Sequence, residues 1–299
     1  MELLDHVRFE GRPKAGPTRS PWAGAVSTLP MAVPPSVCQL QEAERAFVAE
    51  LFQTAGLSLE DYRVSPVRRR LRAALRVARC QNVEQALLAI RVNPALARRA
   101  LAALLIGHTQ AFRDSDVFQT LQNVVIPRLG SLQSLGQPAP RVWSVGCSRG
   151  LEILSVALLL AEQGLLEGSQ LRGSDCRPVD PGHDLALVDD LLTSLPPTLR
   201  WHEDESRHSP RKELVSLIEQ IEWRCENVLD VRQPVSWNLI LCRNVAIYLE
   251  PHASVRLWCG LAESLVPGGF LITGKAEAPA VSAGLRRVAP CVFQRQENV

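Results

Sequence analysis

Hydrophobic positions change their spacing part-way along the chain. Over residues 39–121 they recur three and four residues apart, as in Phe47, Leu51 and Phe52, which is the spacing of a helix with one buried face. After Arg141 they form short β-rich runs separated by helical segments. The pattern predicts a small all-helical domain followed by an α/β domain in which strands alternate with helices.

Four segments follow from this pattern. Residues 1–36 are rich in Pro, Gly, Ser and Arg and lack an apolar period, which predicts a disordered tail. We expect the helical domain over residues 37–121 and the α/β domain over residues 122–299. Within the latter, residues 180–223 interrupt the alternation and are predicted to be an insertion. Its last part, Leu214 to Trp223, fits either a strand or a helix.

A polar or glycine-rich cluster borders each of the β-rich runs. The runs are Arg141 to Val145, Gln170 to Gly173, Ile221 to Cys225, Trp237 to Cys242 and Phe270 to Thr273. Strands that alternate with helices predict a doubly wound, mostly parallel sheet, a Rossmann-like fold that binds ligands at the carboxyl ends of its strands.

A glycine loop follows the first of these runs. Gly146 and Gly150 frame three residues between a predicted strand and a predicted helix, where glycine lets the backbone turn sharply and approach a ligand. The spacing alone fits a tight turn as well as a ligand loop. Asp175 closes the next strand, where a carboxylate can accept hydrogen bonds from ribose hydroxyls or simply cap a turn. Together they favour a nucleoside ligand.

Composition narrows the class of protein. The chain has 33 basic and 31 acidic residues, so its overall charge gives no reason to expect nucleic-acid binding. Its eight cysteines contain no C-x-x-C pair, which favours free thiols in a reducing cytoplasm. The six histidines show no ligand-like spacing, so no metal is expected. No apolar run approaches the roughly 20 residues of a spanning helix.

Several motifs together resemble one family, the CheR-type chemotaxis receptor glutamate methyltransferases, over about residues 39–293. The segment Cys242 to Tyr248, which reads C-R-N-V-A-I-Y, is the most diagnostic of them. The other segments are Thr109 to Asp114, Val142 to Gly150, Ser174-Asp175, Asn227 to Leu229 and Pro267 to Gly269.

The resemblance implies an enzyme that transfers a methyl group from S-adenosyl-L-methionine to glutamate side chains of chemoreceptors, leaving S-adenosyl-L-homocysteine. It implies that Glu152 pairs with the amino group of the cofactor and Asp175 with its ribose. Arg113 and Tyr248 would face the substrate glutamate as the catalytic pair. The implied cofactor-binding residues are Thr109, Arg113, Gly146, Glu152, Asp175, Asn227, Val228, Arg243 and Asn244.

The sequence also departs from the pattern of this family. Gly107 stands where an asparagine is usual, and Arg177 where a second acidic residue is usual. Leu151 and Ile153 replace a carboxylate and a small residue or proline after the glycine loop, and Lys275-Ala276 replaces a His-Ser pair. A catalytically weakened relative that binds receptors or other partners therefore stays open beside the active enzyme, as does methylation of a small molecule.

One predicted helix carries a concentration of arginines. They are Arg68, Arg69, Arg70, Arg72, Arg76 and Arg79. A solvated helix face and a docking surface for an acidic helix of a chemoreceptor are both consistent with this cluster. Leu214 to Trp223 is in addition a candidate remnant of the β-subdomain that receptor methyltransferases carry.

Overall fold

The computed structural model describes residues 39–105, 107, 109–179, 185–195, 210–230 and 234–296. The disordered tail predicted for residues 1–36 lies outside the described residues. The predicted fold class is confirmed, because helices come first in the chain and a largely parallel sheet with intervening helices follows.

Four helices form the N-terminal part. They are α1 (Glu42–Gln53), α2 (Val64–Ala78), α3 (Val83–Val92) and α4 (Pro94–Leu104). Asn82 and Asn93 cap α3 and α4, since their side-chain oxygens accept hydrogen bonds from backbone N–H groups at 2.9 and 3.0 Å. The buried sides of the four helices meet in a hydrophobic cluster of their own.

A longer helical run leads from these helices to the sheet. It comprises α5 (Ser115–Thr120), a π-helical turn (Leu121–Val125) and α6 (Ile126–Ser134). Phe118 and Leu121 of this run are buried in the hydrophobic core of the sheet. The domain boundary predicted after residue 121 therefore falls inside a continuous helical segment.

The sheet has seven strands in the order β3-β2-β1-β4-β5-β7-β6. The first five in this order are parallel, whereas β7 runs antiparallel to both of its neighbours. The strands are β1 (Arg141–Val145), β2 (Gln170–Asp175), β3 (Glu222–Cys225), β4 (Trp237–Cys242), β5 (Leu265–Thr273), β6 (Leu285–Ala289) and β7 (Val292–Arg295).

Helices cover both faces of this sheet. They are α7 (Leu151–Glu162), α8 (Leu185–Ser194), α9 (Pro210–Gln220) and α10 (Pro251–Ser264). Because successive side chains of a strand point to opposite faces, Leu239 and Leu241 pack in the cluster of α7, whereas Ile240 and Cys242 pack in that of α10. Both faces of the sheet are thus buried.

The segment after residue 180 corrects one interpretation of the sequence. The residues considered as a β-subdomain remnant are helical as far as Gln220, because Leu214, Leu217, Ile218 and Ile221 recur at helical spacing and are buried against the core. Trp223 belongs to β3 of the main sheet. The described part of the insertion therefore contains α8, α9 and the start of β3.

The chain order reverses beside β1. From β1 the chain moves outward through β2 and β3, and it then returns to β4 on the other side of β1. Connections leave in opposite directions at such a point, which opens a crevice at the carboxyl ends of the two central strands. Gly146 follows β1 and Arg243 follows β4, so both residues lie at this crevice.

Candidate active site

Two adjoining cavities lie at the carboxyl ends of the parallel strands, and both are lined by Gly146, Asn244 and Tyr248. We name them after their carboxylates. The Glu152 cavity, of about 260 Å³, is lined in addition by Gly107, Thr109, Gln110, Arg113, Cys147, Ser148, Glu152, Arg243 and Ile247. The Asp175 cavity, of about 100 Å³, is lined in addition by Tyr62, Pro66, Val67, Leu104, Leu105, Asp175, Cys176, Arg177 and Val245.

Eight of the ten predicted site residues come together here. Seven line the Glu152 cavity, and Asp175 lines the neighbouring one. The other two, Asn227 and Val228, line neither cavity. The side-chain amide of Asn227 donates instead to the carbonyl oxygen of Gly56 at 3.0 Å and to the Asp230 carboxylate at 2.7 Å. The cofactor-binding and catalytic roles of these ten residues stay predictions.

Gly146 allows the loops after β1 and β4 to approach each other closely. Its φ is +66°, a conformation that favours glycine. A Cβ at this position would lie 2.5 Å from Cγ2 of Val245. Any side chain here would therefore both strain the backbone and push the two loops apart, which would disturb the crevice between β1 and β4.

Arg243 is a buried support of the site. Its side chain is 2% exposed, and it donates to the backbone oxygen of Arg113 at 2.9 Å and to the Asp114 carboxylate at 2.5 Å. The guanidinium also lies 5.6 Å from the ring centroid of Phe118. Arg243 thus fixes the segment that carries Arg113 against the end of β4.

Glu152 lies in the first turn of α7, after the glycine loop, and lines the larger cavity. Its contact with Arg243 is long, 3.5 Å from Nη1, and this arginine is also engaged with Asp114. Burial raises the pKa of Glu152, and the charge of Arg243 opposes that rise without cancelling it. A cationic ligand group beside this carboxylate would relieve the cost of burying its charge.

Asp175 accepts more and shorter hydrogen bonds from the protein than Glu152 does. Its Oδ1 and Oδ2 accept from Nε and Nη2 of Arg177 at 2.8 and 3.0 Å, and its Oδ2 also accepts from the backbone N–H of Ser148 at 2.9 Å. Burial would raise the pKa of Asp175, but the hydrogen bonds and charge of Arg177 outweigh it and hold this pKa below its ordinary value.

Glu277 is a site residue that the sequence reasoning missed. Its carboxylate accepts from the backbone N–H groups of Asn244 at 2.6 Å, Ile247 at 3.2 Å and Gly274 at 3.0 Å. Asn244 has a φ of +60°, which costs energy for a residue other than glycine, and these bonds support that conformation. The only signal in the sequence is an acidic residue shortly after the end of β5.

Tyr248 is positioned by the N-terminal part of the chain. The backbone N–H of Arg63 donates to the carbonyl oxygen of Tyr248 at 2.9 Å, and the N–H of Glu250 donates to the carbonyl oxygen of Asp61 at 2.8 Å. Nε of Arg63 adds a bond to the carbonyl oxygen of Leu249 at 2.8 Å. The segment before α2 is thereby joined to the loop that presents Tyr248 to both cavities.

The comparison with protein families decides the identity of this fold. The family model for the CheR methyltransferase, SAM binding domain, matches residues 107–287, well over half of the chain. The chain belongs to the CheR methyltransferase family. S-adenosylmethionine is accordingly its cofactor, and the resemblance inferred from the sequence is confirmed.

Individual CheR-type relatives are distant in sequence. A protein of Pseudomonas putida named as the methyltransferase Cher3 is 26% identical over 262 residues, which is 83% of this chain and 93% of the relative. A chemotaxis protein methyltransferase of Vibrio parahaemolyticus is 26% identical over 196 residues, covering 62% of this chain and 70% of the relative.

Solved structures add little to this assignment. The N-methyltransferase NodS of Bradyrhizobium japonicum is 14% identical and covers 62% of this chain and 99% of its own, but with a TM-score of 0.31. A likeness at that level carries no argument about the site. Among the residues that the structure describes, no helix combines the length and apolarity needed to cross a membrane.

The cavities of this CheR-type chain differ in how well they fit S-adenosylmethionine. The Glu152 cavity fits the amino-acid end, since the carboxylate is buried and its salt bridge to Arg243 is long, so it can receive an ammonium group. At the other cavity, both oxygens of Asp175 already accept from Arg177. A ribose hydroxyl would therefore have to compete with a residue of the protein.

Proposed function

We propose that this chain is a protein-glutamate O-methyltransferase that forms methyl esters on glutamate side chains of chemoreceptors. The observation that carries the proposal is that Arg113, Glu152 and Tyr248 line one cavity at the carboxyl ends of β1 and β4. Relatives named as chemotaxis protein methyltransferases support this choice of substrate.

Methyl transfer to a carboxylate depends mainly on how the protein positions the substrate. When bound, S-adenosylmethionine would supply a methyl group carried on a sulfonium for transfer to a carboxylate oxygen, with S-adenosylhomocysteine as the leaving group. The side chain of a solvated glutamate has a pKa of about 4.3 and is ionised at neutral pH, so the protein needs no general base. Catalysis then comes mainly from holding the carboxylate in line and near the methyl group.

Arg113 and Tyr248 are suited to hold that carboxylate. Arginine offers paired N–H donors that match a carboxylate, and the tyrosine hydroxyl adds a third donor. Arg113 lies at the start of the segment that Arg243 fixes, whereas Tyr248 is fixed by the segment before α2. The two clamping residues are therefore supported independently of each other, which favours a defined position for the substrate oxygen.

The exposed arginines of α2 are the basis for proposing a receptor as the partner. Arg69, Arg72 and Arg76 are exposed and recur three and four residues apart, which places them on one face of α2, and the exposed Arg79 follows directly at the C-terminal cap. The opposite face of α2 is buried in the N-terminal cluster. Such a stripe is complementary to acidic residues on a partner helix, and we assign it to the cytoplasmic helical region of a chemoreceptor.

The test is methyl transfer to receptors encoded in the same genome. Incubation with S-adenosylmethionine labelled in the methyl group is expected to label a receptor, and mild base should release the label as methanol. Replacing its candidate glutamates by alanine should remove the label. Labelling of small molecules alone, or label that resists base, would contradict a glutamyl ester.

A second function is favoured by the contact between Arg177 and Asp175. If Arg177 keeps Asp175 from binding the ribose, the chain could bind receptors through α2 while catalysing methyl transfer slowly or not at all. Co-sedimentation with receptor-containing membranes, without release of base-labile label, would support this second function. Reversing the charges of Arg69, Arg72 and Arg76 should abolish sedimentation under either function, so only the label separates the two.

A further inference from the structure

Arg177 and Gly107 are in direct contact although they are far apart in the chain. A Cβ built on Gly107 would lie 1.8 Å from Nη1 of Arg177 and 2.7 Å from its Cζ. No such pair of atoms can coexist. The guanidinium of Arg177 therefore occupies the space that any side chain at position 107 would fill.

The same guanidinium occupies the acceptor atoms of Asp175. The side chains of Arg177 and Asp175 are 16% and 5% exposed, so this ion pair is largely shielded from solvent and salt. The backbone N–H of Arg177 adds a third bond to Oδ1 of Asp175 at 3.0 Å. The backbone N–H of Ser148 and, at 3.7 Å, the thiol of Cys176 donate as well, so the carboxylate has a donor for each of its lone-pair directions.

We infer that Arg177 is a latch that sets the affinity for the cofactor by competing with the ribose for Asp175. The inference rests on the proposed role of Asp175 as the ribose acceptor. Ribose hydroxyls can bind both oxygens of Asp175 only when the guanidinium has moved off them. Part of the binding free energy of the cofactor is then spent on breaking the Arg177 pair, which weakens the observed affinity.

Gly107 is what permits the latch to close. The two departures from the family pattern at positions 107 and 177 are therefore coupled, because the side chain of Arg177 can hold this conformation only over a residue without a Cβ. The clash involves the far end of a flexible side chain and no backbone atom of Arg177, so Gly107→Ala can be accommodated by a swing of the guanidinium.

The test is calorimetric binding of S-adenosylhomocysteine, which carries the same ribose. Arg177→Ala is expected to tighten binding by about tenfold or more, because the ribose no longer displaces a charged hydrogen-bonding partner. Gly107→Ala should also tighten binding, since it displaces the guanidinium without removing it. The double variant should bind no more tightly than the better single variant, since both open the same latch.

A matched control and a stability measurement accompany the binding data. Arg211→Ala, which removes an arginine from an exposed ion pair with Asp189, should leave binding unchanged. Without ligand, Arg177→Ala should lower the thermal midpoint because Asp175 loses its partner, and S-adenosylhomocysteine should raise the midpoint more than in the parent protein. If Arg177→Ala does not fold, Gly107→Ala and Arg177→Gln supply the same measurement.

The outcomes separate the latch from the cofactor site itself. If the parent protein binds, Asp175→Asn weakens binding and neither Arg177→Ala nor Gly107→Ala tightens it, the latch is overturned and the site stands. Weaker binding by Arg177→Ala would likewise overturn it, because Arg177 would then be a ligand contact. If Asp175→Asn binds as tightly as the parent protein, the proposed ribose role of Asp175 fails and the latch with it.

Discussion

Glu152 and Asp175 are carboxylates at the same edge of the sheet, yet they differ in their contacts with arginine and in the direction of their pKa shifts. Both oxygens of Asp175 accept hydrogen bonds from the guanidinium of Arg177, and the pKa of Asp175 is lowered. Glu152 lies 3.5 Å from the guanidinium of Arg243, which also contacts Asp114, and the pKa of Glu152 is raised. Among the described residues, both oxygens of Asp175 have close donors, whereas the salt bridge of Glu152 to Arg243 is long, at 3.5 Å. Position at a strand end therefore does not by itself make a carboxylate available to a ligand.

The difference arises from where the two arginines come from. Arg177 follows Asp175 by two residues and turns back onto it, so the pair needs no other element. Arg243 arrives from the end of β4 and divides its donors between the backbone of Arg113, Asp114 and Glu152. The shared arginine leaves Glu152 with the weakest of these contacts.

The largest expected effect is on stability and comes from removing the shared arginine. Arg243→Met should lower the free energy of unfolding by about 3–5 kcal/mol, because the buried Glu152 loses its salt bridge to Arg243 and Asp114 keeps only the longer one to Lys275, at 3.9 Å, among the described residues. Urea unfolding followed by circular dichroism measures this change. Arg211→Met is the control, since its ion pair is exposed and should contribute at most about 1 kcal/mol. Equal losses in the two variants would contradict the supporting role of Arg243.

The next effect is on cofactor affinity at Glu152. Glu152→Gln keeps the shape of the side chain and removes its charge, so binding of S-adenosylhomocysteine should weaken by about ten- to a hundredfold, the value of one hydrogen bond between charged groups. Calorimetry measures it. Glu162→Gln, at the other end of α7 and on its exposed side, should leave binding unchanged. Unchanged binding by Glu152→Gln would show that another residue receives the amino group of the cofactor.

The pH dependence of binding should distinguish the two carboxylates. As the pH falls from 7 towards 5, Glu152 is protonated at a higher pH than an ordinary glutamate because its pKa is raised, whereas Asp175 stays ionised because its pKa is lowered. The affinity for S-adenosylhomocysteine should therefore fall over this range in the parent protein. Glu152→Gln should bind with a flat profile, and an equally steep profile in that variant would assign the titration to another group.

The smallest effect is expected at Tyr248. Tyr248→Phe should reduce kcat by about tenfold through loss of one hydrogen bond to the substrate carboxylate, and it should leave S-adenosylhomocysteine binding unchanged. Labelled-methyl kinetics and calorimetry measure the two quantities separately. Tyr62→Phe, a control near the same loop, should affect neither by as much. A loss of cofactor binding in Tyr248→Phe would assign the tyrosine to the cofactor.

The positions of several strands could be predicted from the sequence. Arg141–Val145 and Trp237–Cys242 are strands over the predicted residues, because short apolar runs ended by polar residues report burial on both faces. The segment Leu214 to Trp223 could not be read in the same way. It contains a helical period followed by the start of a strand, and neither pattern is long enough to exclude the other.

What the sequence by itself determined was the succession of strands along the chain, the glycine loop and the family, since these depend on local pattern and on motifs a few residues long. The tertiary structure alone decided that Arg177 lies over Gly107, that Glu277 supports Asn244 and that Arg243 is shared. Each of these contacts joins residues from different elements, so their distances are set by how the chain packs and not by spacing along it.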